Sequence, residues 1–376
     1  MALRRSVDGI SGRLGFGLSV SMVAIGAIMT AGCPDDGTTS GPGGGGGGGG
    51  TGGAGGGSSE PAWQAVFDQG ALDRALLSVW GTSSKSVYAV GGPLKNSGFD
   101  ALVLHFDGKN WKELSPGGAD SFWWVYGTSD TDVWMTGENG RITHFDGTSF
   151  EDYDSGTTAT IWGVMAFAPH DAWAVGGVPG TGGPDDVVLH WDGDSWSPET
   201  LPGAPLGRTH FKVWGTSSDD LFIVGEAGLI WHKKGPDWFI DVDPPISGGN
   251  LLTIHGCSST EVYAVGGRDL LAYDGTTWTK VDKSFGNDVN GVFCGTPGGA
   301  SLSLVGNGGL KQREVDGEWH DEFTKAPHGD LHATWIDDTG AIWAAGGDFI
   351  STAKAGQPRN GIIARYGPGT VSNKLE

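Results

Sequence analysis

Cysteine is scarce in this chain, with three in 376 residues, too few to staple a fold of that length, so packing has to hold it. Basic residues are scarce as well. With 23 Lys and Arg against 44 Asp and Glu, the formal net charge is -21, and such a surface cannot neutralise a run of phosphates. That excludes nucleic acid as a partner and makes an anionic bilayer a poor one. No apolar run reaches the roughly 20 residues of a stable transmembrane helix. Catalytic motifs are missing too: there is no Gly-x-Ser-x-Gly elbow, no His-Glu-x-x-His helix and no phosphate-cradling loop. The eight consecutive glycines from Gly43 to Gly50 lack the lysine, strand and helix that such a loop needs. No catalytic residue, metal site or cofactor is therefore expected. What is abundant is Gly, at 70, and Trp, at 17, with a hydrophobic content of 38% that suffices for a buried core.

The first 60 residues read as an address and a tether. Arg4 and Arg5 precede an apolar run from Phe16 through Met29, and the small residues Ala31 and Gly32 abut Cys33, the layout of an export signal. Thr30-Ala31-Gly32-Cys33 resembles the lipobox of bacterial lipoproteins, which implies that residues 1–32 are removed and that the Cys33 thiol is lipidated. Removing three arginines and one aspartate with that segment takes the charge to -23. Residues 33–60, nearly all Gly in their middle, cannot bury apolar surface and read as a flexible tether. The membrane is then met only through the lipid.

From residue 61 the sequence repeats. Leu77-Ser78-Val79-Trp80-Gly81-Thr82-Ser83-Ser84 returns as Phe211-Lys212-Val213-Trp214-Gly215-Thr216-Ser217-Ser218. Taking the Trp80 position as anchor gives Trp80, Tyr126, Trp162, Trp214, His255, Cys294 and Trp335, separated by 46, 36, 52, 41, 39 and 41 residues. That period suits a four-stranded propeller blade. A second element, such as Val87-Tyr88-Ala89-Val90-Gly91 or Ala172-Trp173-Ala174-Val175-Gly176, is apolar at nearly every position, as in a strand covered on both faces. A third ends in Asp-Gly followed by an aromatic, as in Asp107-Gly108 to Trp111, and the pair is expected to supply positive φ values for a tight hairpin. The seventh copy ends after its third strand, Ile362 to Tyr366, while Ala62 to Phe67 is an orphan fourth strand at the other end. Pairing the two closes a ring and removes exposed edges. The expected fold is all-β: a seven-bladed β-propeller over residues 61–367, closed by its N-terminal strand, with a tail at 368–376.

The Trp-Gly-Thr-Ser-Ser opening, the Val-Tyr-Ala-Val-Gly-Gly strand end and the Asp-Gly-x-x-Trp close resemble the repeat-only propeller lipoproteins abundant in myxobacteria. The pairs opening at Gly91, Gly176, Gly266 and Gly346 are similar to those of kelch blades. The resemblance implies the propeller and an extracytoplasmic place in the cell envelope, at the outer membrane or cell surface; fold alone does not fix a ligand.

Several repeated residues are candidates for chemistry. His105, His144, His190 and His232 share one place on third strands of successive blades, too far apart to share an ion, and read as packing. The aromatic anchors, with His255, would ring the axis and fill wedges between blades. Asp132, Asp171, Asp220 and Glu261 precede second strands and read as turn caps rather than Ca²⁺ ligands. Cys257 and Cys294, on adjacent blades of an exported protein, are expected to bond, with a pair of free thiols as the alternative. The arginines at 74, 141, 208, 268, 313, 359 and 365 are scattered over several blades.

Unequal loops give a repeat scaffold its individuality. The connections Gly91 to Asp100, Gly176 to Asp186 and Gly346 to Gly361 are long, as are Ser197 to His210 and Ile240 to Asn250 between blades, and all open on one face. A recognition surface there would use Lys95, Asn96, Asp100, Asp185, Asp186, Arg208, His210, Arg359 and Asn360. The expected function is a lipid-anchored, monomeric binding or scaffold module for an extracellular glycan or protein; the alternative is a glycoside hydrolase or lyase with its active site at the channel mouth.

Overall fold

The computed structural model describes residues 60–94, 98–180, 186–203, 206–241, 245–246, 249–295, 301–350 and 357–376; residues 1–59, with the expected export segment, Cys33 and nearly all of the tether, lie outside them. Seven antiparallel sheets of four strands follow one another. Their inner strands are Ala75–Ser83, Phe122–Ser129, Thr160–Ala168, His210–Ser217, Thr253–Ser258, Val289–Cys294 and Leu331–Ile336. Each packs against the next and the last against the first, which makes a seven-bladed β-propeller, its blades numbered 1 to 7 from Ala75. Second strands such as Ser86–Gly92 and Ile342–Gly347 are buried along their whole length, because neighbouring blades cover both faces.

The seventh sheet takes its outermost strand from the other end of the sequence. Ala62–Phe67 pairs antiparallel with Gly361–Gly367, with Trp63 opposite Tyr366 and their rings 5.7 Å apart. The ring is thereby closed.

Blade spacing is set by large side chains driven into the following blade. The tip of the Trp335 indole lies 3.0 Å from where a Cβ on Gly81 would sit; for Trp80 and Gly127 the distance is 2.9 Å, and for Trp214 and Gly256 it is 2.4 Å. Nothing larger than glycine fits at those positions. The register also corrects two of the expected anchors. In blade 3 the residue paired as Trp80 is with Tyr88 is Met165, opposite Trp173, not Trp162; in blade 6 it is Phe293, opposite Ser303, not Cys294. The corrected anchors share one register position. They fill the wedges between blades.

Two further expectations change in detail. In the turns joining third to fourth strands the glycine alone takes positive φ at Gly108, Gly147, Gly193 and Gly275, and only at Asp316-Gly317 do both residues. The aspartate acts instead as an acceptor: Asp274 Oδ1 takes the N–H groups of Thr276 and Thr277, both at 2.8 Å, which holds its carboxyl down at about 2 through those bonds and the Thr276 hydroxyl. The acids before the second strands do more than cap turns. Asp132, Asp171 and Asp220 bond the ring nitrogens of His144, His190 and His232 at 2.8, 2.9 and 2.9 Å, and those rings pack on Trp134, Trp173 and Phe222 of the second strand. Asp171 also accepts the Ser218 hydroxyl from blade 4. Burial pushes the Asp132 carboxyl up, but bonds from His144 and Thr128 outweigh it and leave it below the usual range. The repeated histidines thus tie third strands to the turns, and in blade 3 to the next blade as well.

Cys257 and Cys294 form a disulfide between the inner strands of blades 5 and 6, with a Cα separation of 5.3 Å. It lies at the mouth opposite the long loops, in a depression of about 430 Å³ walled by Phe293, Trp335 and Asp337. Among the described residues, Glu261 is the acid close to both sulfurs, and those sulfurs are spent on each other.

A chain lacking residues 61–70 is expected to yield no soluble, cooperatively melting protein, because blade 7 would lose its outer strand. Circular dichroism melts of parent and truncation decide it; superimposable melts would sink the closure argument.

Candidate functional site

The inner strands share an irregularity that builds a site at the axis. In six blades the ladder between first and second strands skips one residue, between Leu76 and Ser78, Phe122 and Trp124, Ile161 and Gly163, His210 and Lys212, Val289 and Gly291, and Leu331 and Ala333. A bulge of this kind leaves the extra residue out of the ladder and re-aims its side chain. The residues so released are Leu77, Trp123, Trp162, Phe211, Asn290 and His332, and all six gather round one mouth of the channel. Trp123 and Trp162 meet edge to face at 4.5 Å, Trp162 and Phe211 at 5.8 Å, and Trp123 and His332 at 5.6 Å. His332 donates through Nδ1 to the Leu77 carbonyl, and Asn290 Nδ2 to that of Leu331 at 2.9 Å.

Above this floor the described ends of the three long connections between second and third strands come together. Leu94 of blade 1, Val178 and Pro179 of blade 3, and Phe349 and Arg359 of blade 7 join Trp123 and Trp162 around a cleft of about 370 Å³. Blades 2, 4 and 6 have tight turns there instead, Glu138–Gly140, Glu226–Gly228 and Asn307–Gly309, so they leave the mouth open. Arg359 is 6% exposed; its Nη1 donates to the Asp348 carbonyl at 2.5 Å, while its Nε and the Trp123 indole N–H have no partner among the described residues. Buried donors without acceptors are costly, and two of them in one wall suit an oxygen-bearing occupant. Glu138 is the cleft's one carboxylate among the described residues, and its Oε2 accepts the Ser121 N–H at 3.0 Å. Glu226 serves Thr209 in the same way in blade 4, so this contact belongs to the scaffold.

Beneath the tryptophans lies a buried cation. Lys212 is 3% exposed; its Nζ donates to the Trp162 carbonyl at 2.7 Å and sits 4.4 Å from the centre of the Trp124 ring. Desolvation pushes its amine down to about 7, as expected for an ammonium with no carboxylate partner among the described residues. His332 goes down to about 3 through burial and, secondarily, the Lys212 charge. The amine holds the backbone that carries Trp162, so the floor of the cleft rests on it.

The residues expected to form the recognition surface are dispersed. Lys95, Asn96 and Asp185 lie outside the described residues. Asp100 and Arg208 are exposed. Asp186 is a loop organiser, accepting the N–H groups of Leu206, Gly207 and Arg208 at 2.6, 3.1 and 2.8 Å. His210 is buried, and desolvation holds its imidazole below the usual range. Asn360 donates to Asp348 at 2.9 Å, bracing the loop that carries Arg359. Of the described members of this set, only Arg359 lines the cleft. Sequence reasoning missed Trp123, Phe349 and Glu138 as lining residues and placed Trp162 in the wrong column. The signal existed: counted back three residues from the corrected anchors, the positions read Leu77, Trp123, Trp162, Phe211, Leu252, Asn290 and His332.

No family model matches the chain, and no curated protein matches it in sequence. Solved structures match its fold. The chain is similar to YCF48 bound to a D1 peptide, at 14% identity and a TM-score of 0.59, over 81% of this chain and 96% of that one. It is similar to YCF48 from Cyanidioschyzon merolae at 13% identity and a TM-score of 0.59, over 81% and 98%. The WD40 β-propeller domain of Doa1 matches at 10% identity and a TM-score of 0.61, over 82% and 97%. At these identities the likeness is one of architecture.

The Lys212 amine makes stability depend on pH. Its folded pKa of about 7 lies below the ordinary 10.5, so the unfolded chain binds more protons between those values and stability rises with pH across that window. Below about pH 7 the full cost of burying the ammonium is present. Lys212→Met is therefore expected to raise the melting temperature most at pH 6.5 and progressively less towards pH 10. Equal gains at both ends would show that the amine is not desolvated.

Proposed function

We propose that the protein is an exported, lipid-anchored binding module, a repeat-only propeller lipoprotein of the kind abundant in myxobacteria, whose loop-rich mouth takes an extracellular glycan or protein segment. The observation that carries the reading is that described residues of all three long loops meet over a cleft floored by Trp123 and Trp162. Aromatic faces stack on apolar side chains or on the apolar face of a sugar, and the Arg359 Nε and Trp123 indole donors, which have no acceptor among the described residues, supply the directional contacts that orient a ligand in a mostly apolar pocket. One of the similar propellers, YCF48, is bound to a D1 peptide, a mode that this mouth would also accommodate.

The hydrolase reading is the weaker one. Glycoside hydrolysis uses a pair of carboxyl groups across the scissile bond, whereas this cleft has Glu138 alone among the described residues, already bonded to a backbone N–H. Cys33 would carry the lipid and residues 33–60 would let the propeller reach a ligand away from the bilayer.

Two measurements test this. Screening the protein against glycan and cell-envelope panels should give a saturable ligand, and Trp162→Ala should weaken it by about tenfold or more, the effect of losing a buried aromatic contact. Undiminished binding, or turnover of a glycoside, would reverse the ranking. Replacing Cys33 by Ala should move the protein from the membrane fraction to the soluble extracytoplasmic fraction; continued membrane retention would count against the lipid anchor.

A further inference from the structure

The seam between blades 7 and 1 is covered on its outer side by residues 368–376, which lie across it as an extended strap. Gln64 Nε2 donates to the Gly369 carbonyl at 2.7 Å, and the Trp111 indole donates to that of Ser372 at 3.1 Å. The Trp111 backbone N–H donates to Lys374 and its carbonyl accepts from Glu376, both at 2.9 Å, forming a single parallel bridge to Leu375. Val371 packs against the hydrophobic cluster that includes Phe67, Phe106 and Trp111, and Trp111 is 0% exposed. One edge residue thus offers three polar contacts to a passing chain.

The repeat places the same surface at the seam between blades 4 and 5. The shared register puts Trp278 of blade 5 in the place of Trp111 and Tyr273 in that of Phe106. Phe239 of blade 4 takes the place of Gln64, the residue that reaches the strap. The side chains agree as well: Phe106 and Trp111 lie 5.2 Å apart at 35°, Tyr273 and Trp278 5.2 Å apart at 38°. Here no described segment lies on the edge. Instead there is a groove of about 340 Å³ walled by Ile230, Phe239, Ile240, Tyr273 and Trp278. Phe239 is 53% exposed, the one aromatic among the exposed large apolar side chains of the described residues. Lys234 lines the end of the groove that corresponds to the start of the strap. The adjacent Lys233 is paired with Asp219, whereas Lys234 has no ion pair among the described residues.

We propose that the groove between blades 4 and 5 docks an extended segment of a partner polypeptide, an acidic residue followed by an aliphatic one, laid down as the strap is laid at the other seam. A carbonyl of the segment accepts the Trp278 N–H, the N–H two residues later donates to the Trp278 carbonyl, and the carbonyl two residues earlier accepts the indole N–H. The aliphatic side chain takes the place of Val371 against Phe239 and Tyr273. The acidic residue meets Lys234. Edge addition of this kind gives affinity through the main chain and specificity through the flanking pockets.

The probes are two synthetic nonapeptides, one with the sequence of residues 368–376 and one in which its leading Pro-Gly is replaced by Asp-Asp, titrated calorimetrically against the full chain. Both should saturate, the acidic one about two- to fivefold more tightly, the worth of one exposed ion pair. Lys234→Glu should invert that preference, and Phe239→Ser should weaken both by about tenfold with an unchanged melting temperature. Gln64→Ala should leave both unaffected. Absence of saturation for both peptides, indifference to Phe239→Ser, or loss on Gln64→Ala would overturn the proposal. So would a dimer of the parent chain that Phe239→Ser dissolves, which would give the groove to a second copy.

Discussion

Closure of the ring is the constraint on which the other features depend. Each blade is a sheet buried on both faces, and such a sheet holds only while it has a neighbour on either side. Pairing Ala62–Phe67 with Gly361–Gly367 gives the last blade its fourth strand and leaves none of the seven sheets incomplete. The indoles of Trp80, Trp214 and Trp335 then fix the pitch between blades by occupying the space above a glycine of the next one. Once pitch and blade number are fixed, so is the bore of the axis, and the bulged residues have a defined place to meet.

The polar content of the scaffold follows the same logic. A wedge packed only with indoles would tolerate slippage along the strand direction. Hydrogen bonds from His144, His190 and His232 to the aspartates of the adjoining turns do not, because a one-residue slip would move each donor away from its acceptor. At the axis the balance differs: Lys212 is held by one carbonyl and one aromatic face, a weak set of partners for a buried charge. That arrangement costs stability next to the cleft.

The architecture was legible in the sequence because each blade repeats the chemistry of its turns and strands, and the closing strand could be found by asking where the seventh copy finds its missing part. The site was legible only in outline. The three long loops were visible as spacing, but the register of blades 3 and 6 was not. Trp162-Gly163 and Cys294-Gly295 imitate Trp80-Gly81, whereas the true wedge residues Met165 and Phe293 are followed by Ala166 and Cys294. A bulge changes which side of a strand faces the axis without changing composition, so the floor of tryptophans could not be read from residue types alone. The dispersed polar residues failed as a group for a related reason. Loop carboxylates such as Asp186 are consumed in shaping the loops themselves.

The pairing of Ala62 with Gly367 sets two remote parts of the chain side by side in one sheet. Joining them through a short linker and opening the backbone at any exposed turn between third and fourth strands would restore the same circular order of strands. Topologically the molecule is a necklace whose clasp can be moved from bead to bead. Duplication or loss of a whole repeat would likewise spare the clasp, and what limits the count is the angle each wedge imposes on the circle.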